Sequence, residues 1–316
     1  MKAIAVKQLG ATPEQVEIAK PSLQPGQILV KMAAAGLNPV DWRIADGMLE
    51  GKLPHVFPLV IGTDGAGVIE AVADDVTGFS VNERVAGKFM FGIVGAGSYA
   101  EYAAIDQRAV LAKVPDEVSL TKAAAMPIAA GTALKLVEKL QLTTGATLLV
   151  VGATGGVGRF VIQLAKRQGL KVIATGGADA EAALRELGAE KVIDHHRAPV
   201  LQQVQQQYPQ GIDGMIDLVS NAEAFSALLV ILRKGGVALS TIWSAVPEQM
   251  QQQGLRGGNL EAQISADELE QLLQSVARGE LQVPVERLVS IKQAPEMLAQ
   301  SKAGGSRGKT VLNIDW

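Results

Sequence analysis

The chain contains no cysteine. Disulfide cross-links and thiolate catalysis are therefore excluded, and a structural zinc lobe loses its usual ligands. Histidine is scarce as well. The three are His55, His195 and His196, scattered along the sequence, whereas a catalytic zinc site needs about three convergent protein ligands. An excess of charge of one sign is also lacking: a net charge of -3 and a pI of 5.8 leave no basic stripe for nucleic-acid phosphates or an anionic membrane. Long apolar runs are missing too, because Gly, Pro or charge interrupts each one before it could span a bilayer. The opening Met1-Lys2-Ala3-Ile4-Ala5-Val6-Lys7 reads as an amphipathic strand and not as a signal peptide. The expectation is a cytoplasmic protein with a small-molecule partner, and with neither a nucleic acid nor a membrane among its partners.

What is present is length and apolar content. A chain of 316 residues that is 48% hydrophobic can bury two separate cores. Its first third is rich in Gly, Pro and Val, with short alternating runs such as Ile28 to Met32 and Gly67 to Val72, punctuated by Pro25-Gly26 and Thr77-Gly78. That pattern predicts strands and turns. Helical texture follows at Lys122 to Ala125 and Thr132 to Leu140. From Ala146 a strand-helix unit repeats. Strands are predicted at Thr147 to Val151, Lys171 to Thr175, Val192 to Asp194, Gly214 to Val219 and Gly236 to Thr241. Helices between them are predicted at Val157 to Gln168, Ala180 to Leu187, Val200 to Tyr208 and Ala222 to Leu232. This alternation implies right-handed crossovers and a doubly wound parallel sheet, so the fold class is α/β. After about Ile264 the chain returns to mixed elements: a helix at Asp267 to Arg278, then strands at Leu288 to Ile291 and Lys309 to Ile314. The glutamine-rich stretch at Gln249 to Gln253 reads as exposed helix or loop.

The segment Gly152-Ala153-Thr154-Gly155-Gly156-Val157-Gly158 directly follows a predicted strand and opens a predicted helix. A dinucleotide fingerprint requires that context. Gly155 lets the backbone approach a pyrophosphate, whose charge is met by the amides and dipole of the helix N-terminus, and Gly158 permits close helix-sheet packing. An ordinary strand-to-helix turn would show the same glycines, but the repeated units around them favour a nucleotide. At the end of the second strand, Thr175 runs into Gly176-Gly177 with no carboxylate, so a 2'-phosphate meets no repulsion there. NADPH is therefore expected over NADH, through the missing acid and not through a cationic clamp. Asp179 and Glu181 also read as acids opening the next helix.

Six ordered blocks resemble the zinc-free quinone oxidoreductase and enone reductase branch of the medium-chain dehydrogenase/reductase superfamily. They are Gly36-Leu37-Asn38-Pro39-Val40-Asp41-Trp42, Gly62-Thr63-Asp64-Gly65-Ala66-Gly67-Val68, Glu83-Arg84-Val85-Ala86-Gly87, Gly97-Ser98-Tyr99-Ala100-Glu101-Tyr102, Ala153 to Gly158, and Arg307-Gly308-Lys309. Zinc-dependent relatives read Gly-His-Glu at the second block, where this chain has Thr63 and Asp64. The resemblance implies a GroES-like, mostly-β catalytic domain over 1–125 and 265–316, and a Rossmann NADPH-binding domain over 126–264. It implies an NADPH:quinone oxidoreductase or 2-alkenal/enone reductase without a metal, and a homodimer. Asn38 and Asp41 are nominated beside the nicotinamide with Thr132 opposite, the Asn38 amide and Thr132 hydroxyl being candidate donors to a developing oxyanion. Cofactor contacts are implied from Gly152, Ala153, Thr154, Gly155, Gly156, Val157, Gly158, Thr175, Gly176, His195, Asn221, Thr241, Ile242, Trp243 and Lys309.

Plainer roles fit several of these positions. Asn38 before Pro39 suits a turn, Asp41 a helix cap, Trp243 simple packing, and His195 and His196 a solvated strand end. A non-catalytic NADPH sensor or RNA-binding protein of the same fold is a further reading, which the acidic pI disfavours for RNA.

Overall fold

The computed structural model describes residues 1–304 and 307–316. The chain divides into two compact units: Met1–Ile128 with Ile264–Trp316, and Ala129–Gln263.

The first unit begins with β1 (Lys2–Val6), β2 (Glu14–Glu17), β3 (Gln27–Gly36), α1 (Pro39–Ala45), β4 (His55–Val60) and β5 (Asp64–Val72). It continues through β6 (Arg84–Lys88), β7 (Val94–Ala96), β8 (Tyr102–Asp106), β9 (Leu111–Lys113) and α2 (Leu120–Ala124). The division between units falls inside α3 (Pro127–Leu140). Helix α3 starts earlier than the expected Thr132, because Pro127 is tolerated in a first helical turn where its missing N–H has no intrahelical acceptor.

The second unit alternates strictly: β10 (Thr147–Val151), α4 (Gly156–Arg167), β11 (Lys171–Thr175), α5 (Glu181–Leu187), β12 (Lys191–Ile193), α6 (Val200–Gln207), β13 (Ile212–Asp217), α7 (Ala222–Leu228), β14 (Leu232–Ser240), α8 (Pro247–Gln252) and β15 (Arg256–Asn259). All pairings in its sheet are parallel, in the order β12-β11-β10-β13-β14-β15. Every residue of β10 is buried, as a central parallel strand covered on both faces must be. Helix α4 turns Phe160, Val161, Leu164 and Ala165 inward, and these apolar positions recur at helical spacing. β15 is not among the strands expected from the sequence. Its residues Arg-Gly-Gly-Asn carry no apolar alternation, and it is a strand through backbone pairing to β14 alone.

The chain then re-enters the first unit with α9 (Ala266–Ala277), β16 (Val285–Ser290), α10 (Ala294–Ala303) and β17 (Lys309–Asn313). One sheet there runs β2-β1-β4-β7; the other runs β16-β17-β3-β5-β6-β9, with β8 also on β3. Two registers matter for the site. Gly36, the last residue of β3, faces Asp64, the first of β5, and faces Val311 of β17 on its other side. The end of β3, the start of β5 and the middle of β17, distant in sequence, therefore meet where the chain leaves β3 for α1. Ile44 and Ala45 of α1 pack with Ile4, Leu59, Ile61, Tyr99 and Leu298, so the helix is fixed from below by a continuous core. No helix among the described residues is long and apolar enough to cross a membrane.

Candidate functional site

Helix α1 opens with Asn38 as its N-cap, Pro39 in the first turn and Asp41 one turn on. The Asn38 backbone N–H donates to Asp41 Oδ2 at 2.7 Å, so the capping reading of Asp41 is realised. The same carboxylate does more. Oδ2 also accepts from the Tyr99 hydroxyl at 2.9 Å, and Oδ1 accepts from the Thr63 backbone N–H at 3.0 Å and the Thr63 hydroxyl at 2.7 Å. Four donors thus converge on one fully buried acid. Burial pushes the Asp41 carboxyl up to about 6, against the pull of its hydrogen bonds from Thr63, Asn38 and Tyr99. Burial and the neighbouring Asp41 carboxylate hold the Tyr99 hydroxyl well above the ordinary phenol range.

Asn38 is the hinge of a second cluster. Its amide nitrogen donates to Asp64 Oδ2 at 2.9 Å and lies 3.2 Å from Gly36 O and 3.4 Å from Thr63 Oγ1. Its amide oxygen accepts from Lys309 Nζ at 2.5 Å. The same ammonium donates to Asp64 Oδ2 and to Leu37 O, both at 3.2 Å. Asp64 Oδ1 receives the Ile128 backbone N–H at 3.1 Å. Asp64 is 0% exposed and Lys309 3%. Burial raises the Asp64 carboxyl above its ordinary value, and the Lys309 charge opposes that rise. The amide orientation of Asn38 follows from this arrangement: its oxygen can face only the cation and its nitrogen only the acceptors.

These contacts revise two expected roles. The Asn38 amide has protein acceptors for both of its protons, so it is a framework residue here and has no proton left for a substrate oxyanion. Lys309, expected as a cofactor contact, directs its ammonium inward to three protein oxygens. Thr63, Asp64 and Tyr99 were part of the recognised blocks but were assigned no chemistry. The signal available for them was a pair of charges, Asp64 and Lys309, set against apolar strand residues.

The second unit presents the glycine turn. Gly155 is the N-cap of α4, and the first helical turn leaves backbone N–H groups without intrahelical acceptors. A β-carbon on Gly155 would meet only Gly152 O at 3.4 Å, so the approach to those amides is open. A β-carbon on Gly158 would lie 2.5 Å from Gly152 O and 2.7 Å from Ala153 Cα, which no side chain can occupy. One glycine leaves room for a ligand and the other lets the helix close on the strand. The turn is tied to the neighbouring strand by the Gly152 N–H, which donates to the buried Thr175 hydroxyl at 3.1 Å. Gly156 and Val157 open α4, and Ala153 and Thr154 bridge from Gly152.

The remaining expected residues lie at the same end of this sheet or in the second unit beyond it. Gly176 follows Thr175 directly, and His195 follows β12 in an exposed loop. Asn221 caps α7, its side chain accepting from the Ala224 N–H at 2.9 Å. Ser240 Oγ, at the end of β14, accepts from the Ile242 N–H at 3.2 Å and lies 2.8 Å from Ser244 Oγ, so Thr241, Ile242 and Trp243 form a tight loop. Trp243 sits at φ 64° and is 68% exposed. A bulky residue held outward in the left-handed region is strained, and the packing role considered for it is absent. Thr132 lies half-buried in α3, within the second unit.

Comparison with known proteins identifies the architecture. The family described as alcohol dehydrogenase GroES-like domain matches residues 24–116, and the family described as zinc-binding dehydrogenase matches residues 156–263. Quinone oxidoreductase of Homo sapiens is 33% identical over 243 residues, covering 75% of this chain and 71% of that protein. The chain belongs to the quinone oxidoreductase branch of the medium-chain dehydrogenase/reductase superfamily. A 2-methylene-furan-3-one reductase of Solanum lycopersicum is 35% identical over 230 residues, covering 71% of this chain and 57% of that protein. The solved quinone oxidoreductase of Coxiella burnetii superposes with a TM-score of 0.88 at 27% identity, covering 100% of this chain and 99% of that one. Membership of this superfamily implies a nicotinamide cofactor, and the glycine turn of the second unit has the features such a group requires. The fit is physical: an open helix N-terminus, a Cβ-free approach at Gly155 and a strand order that reverses between β10 and β13, the place where doubly wound sheets bind ligands.

Proposed function

We propose that this oxidoreductase uses NADPH to reduce a quinone or an α,β-unsaturated carbonyl compound. The observation that carries the reading is the glycine cradle at the β10/β13 switch point, ligand-accessible at Gly155 and closed at Gly158. NADPH, when bound, supplies the hydride. The amides that open α4 bind the pyrophosphate, and the Thr175 hydroxyl holds the turn in register for it. The Thr175-Gly176-Gly177 strand end carries no acid, which supports the 2'-phosphorylated form. The acceptor class is supported by the names of the relatives, one a quinone oxidoreductase and one an enone-type furanone reductase.

In the first unit, the Asn38–Asp64–Lys309 and Asp41–Thr63–Tyr99 clusters fix the Leu37-Asn38-Pro39 segment, so these residues position the site and do not exchange protons with a substrate. With its own donors committed to the framework, this segment offers orientation, and the proton that completes reduction comes from water or from another donor.

The test is the loss of reduced-nicotinamide absorbance against a panel of quinones, 2-alkenals and simple ketones, with NADPH and NADH, with and without a chelator. Chelator-resistant turnover of quinones or enones is expected. Nucleotide binding without turnover of any acceptor in the panel would reject the reductase assignment in favour of a nucleotide sensor.

A further inference from the structure

β12 ends at Ile193, and the chain then turns, the Arg197 N–H donating to Asp194 O at 3.2 Å. His195 and His196 are the two central residues of that turn. Their rings lie against each other with centroids 4.1 Å apart, and both are exposed to solvent. Asp194 is fixed beside them, its Oδ1 accepting the His196 backbone N–H at 2.9 Å. One ring nitrogen of each histidine and one carboxylate oxygen of Asp194 all lie within 4.8 Å of one another. Among the described residues neither imidazole ring has a hydrogen-bond partner, so the lone pairs that converge here are unspent.

Two imidazoles and a carboxylate form a ligand set for a divalent transition ion of intermediate softness. We propose that this turn binds such an ion, Zn2+ or more tightly Cu2+, through His195, His196 and Asp194, with water completing its coordination. Nitrogen and oxygen ligands stand about 2.0–2.2 Å from zinc, so tetrahedral ligands are about 3.4 Å apart. Closing the set from 4.8 Å takes a shift of at most about 1.4 Å at the ligand atoms. Exposed side chains make such a shift by rotating about their own bonds. Arg197 competes weakly: its guanidinium lies 3.5 Å from Asp194 Oδ2 and its side chain is 77% exposed. The ion has no better place on the chain. There is no cysteine, and among the described residues no other three His, Asp or Glu side chains converge in this way. The remaining histidine, His55, has Nδ1 2.8 Å from Leu53 O and Nε2 buried. Mg2+ and Ca2+ require a shell of oxygen ligands, which two imidazoles do not supply. The site stands independently of the dinucleotide reading of the second unit.

The experiment is calorimetric titration of the full chain, freed of any affinity tag, with Zn2+, Cu2+ and Mg2+. It is repeated on the double variant His195→Gln/His196→Gln, on Asp194→Asn and on His55→Gln. The unaltered chain and His55→Gln should each take up one Zn2+ per chain, Cu2+ should displace it, and Mg2+ should give no heat. The double variant should lose Zn2+ binding, and Asp194→Asn should weaken it about tenfold. A second measurement needs no variant: Zn2+ should protect His195 and His196 from modification by diethyl pyrocarbonate, located by mass spectrometry. Failure of the unaltered chain to bind Zn2+ would overturn the proposal, as would labelling of both histidines undiminished by Zn2+. A double variant that still takes up one Zn2+ per chain, or an Asp194→Asn affinity equal to that of the unaltered chain, would overturn the assigned ligand set.

Discussion

Replacing Lys309 by Met keeps most of the side-chain volume and removes the ammonium, which isolates the charge in the Asn38 cluster. In the native chain Lys309 Nζ lies 3.2 Å from Asp64 Oδ2. At an effective dielectric of about 20, that separation corresponds to an attraction of about 5 kcal/mol. After the change Asp64 keeps its hydrogen bonds from Asn38 and Ile128, but its charge is buried without a counter-ion and the Asn38 amide oxygen loses its donor. Breaking one side of a buried pair costs about 3–5 kcal/mol. The sign of the pH dependence follows from the carboxyl. Without Lys309 the folded-state pKa of Asp64 rises further above its unfolded value, so the cost is full at alkaline pH. It then shrinks by up to about 1.4 kcal/mol per pH unit as Asp64 becomes protonated. Urea unfolding of Lys309→Met at pH 5 and pH 8 should show the larger loss at pH 8. The double variant Asp64→Asn/Lys309→Met should lose less than Lys309→Met alone, since no charge is left buried. A loss below about 1 kcal/mol at pH 8, or a double variant whose loss equals the sum of the two single ones, would refute the account of Lys309 as the counter-ion of this cluster.

Other outcomes follow from the same geometry. Asp41 has a folded-state value near 6 against 3.8 ordinarily. Its contribution is thus full below about pH 4 and lost as pH rises through 6, a change of about 3 kcal/mol at about 1.4 per unit. The stability difference between the native chain and Asp41→Asn should fall by that amount from pH 4 to pH 7, and a constant difference would contradict the burial argument. Tyr99→Phe removes one of four donors to Asp41 and should cost about 1.5–3 kcal/mol at pH 8, read by urea unfolding. Gly158→Ala should lower the melting temperature and weaken NADPH binding together, because its β-carbon collides with the Gly152 carbonyl. Gly155→Ala should leave melting nearly unchanged yet raise the NADPH Kd by about tenfold, the added methyl group standing where the ligand approaches. Equal effects of these two changes on melting would show that the two glycines do not divide the work as argued.

The second unit was legible because its organisation is local. A central parallel strand must be apolar on both faces, and Thr147 to Val151 satisfies that with five consecutive buried residues. The turn that follows is covalently continuous with it, so glycines at fixed offsets report both an open approach and a close one. β15 escaped the same reading because Arg256-Gly257-Gly258-Asn259 carries no side-chain pattern; backbone hydrogen bonds to β14 make it a strand. The first unit's polar framework was even less accessible. Asn38 and Asp41 share a helix turn and could be nominated from adjacent residues. Tyr99 reaches Asp41 from 58 positions away, Ile128 reaches Asp64 from 64, and Lys309 reaches Asn38 from 271. No periodicity links such residues, and only the register of β3 with β5 and β17 brings them together. The sequence by itself determined the glycine turn between β10 and α4, because that turn depends on backbone shape along one stretch of chain. Tertiary structure alone decided that Asn38 and Lys309 direct their polar atoms into the protein, because a buried amide and ammonium must satisfy their hydrogen bonds wherever the fold supplies partners.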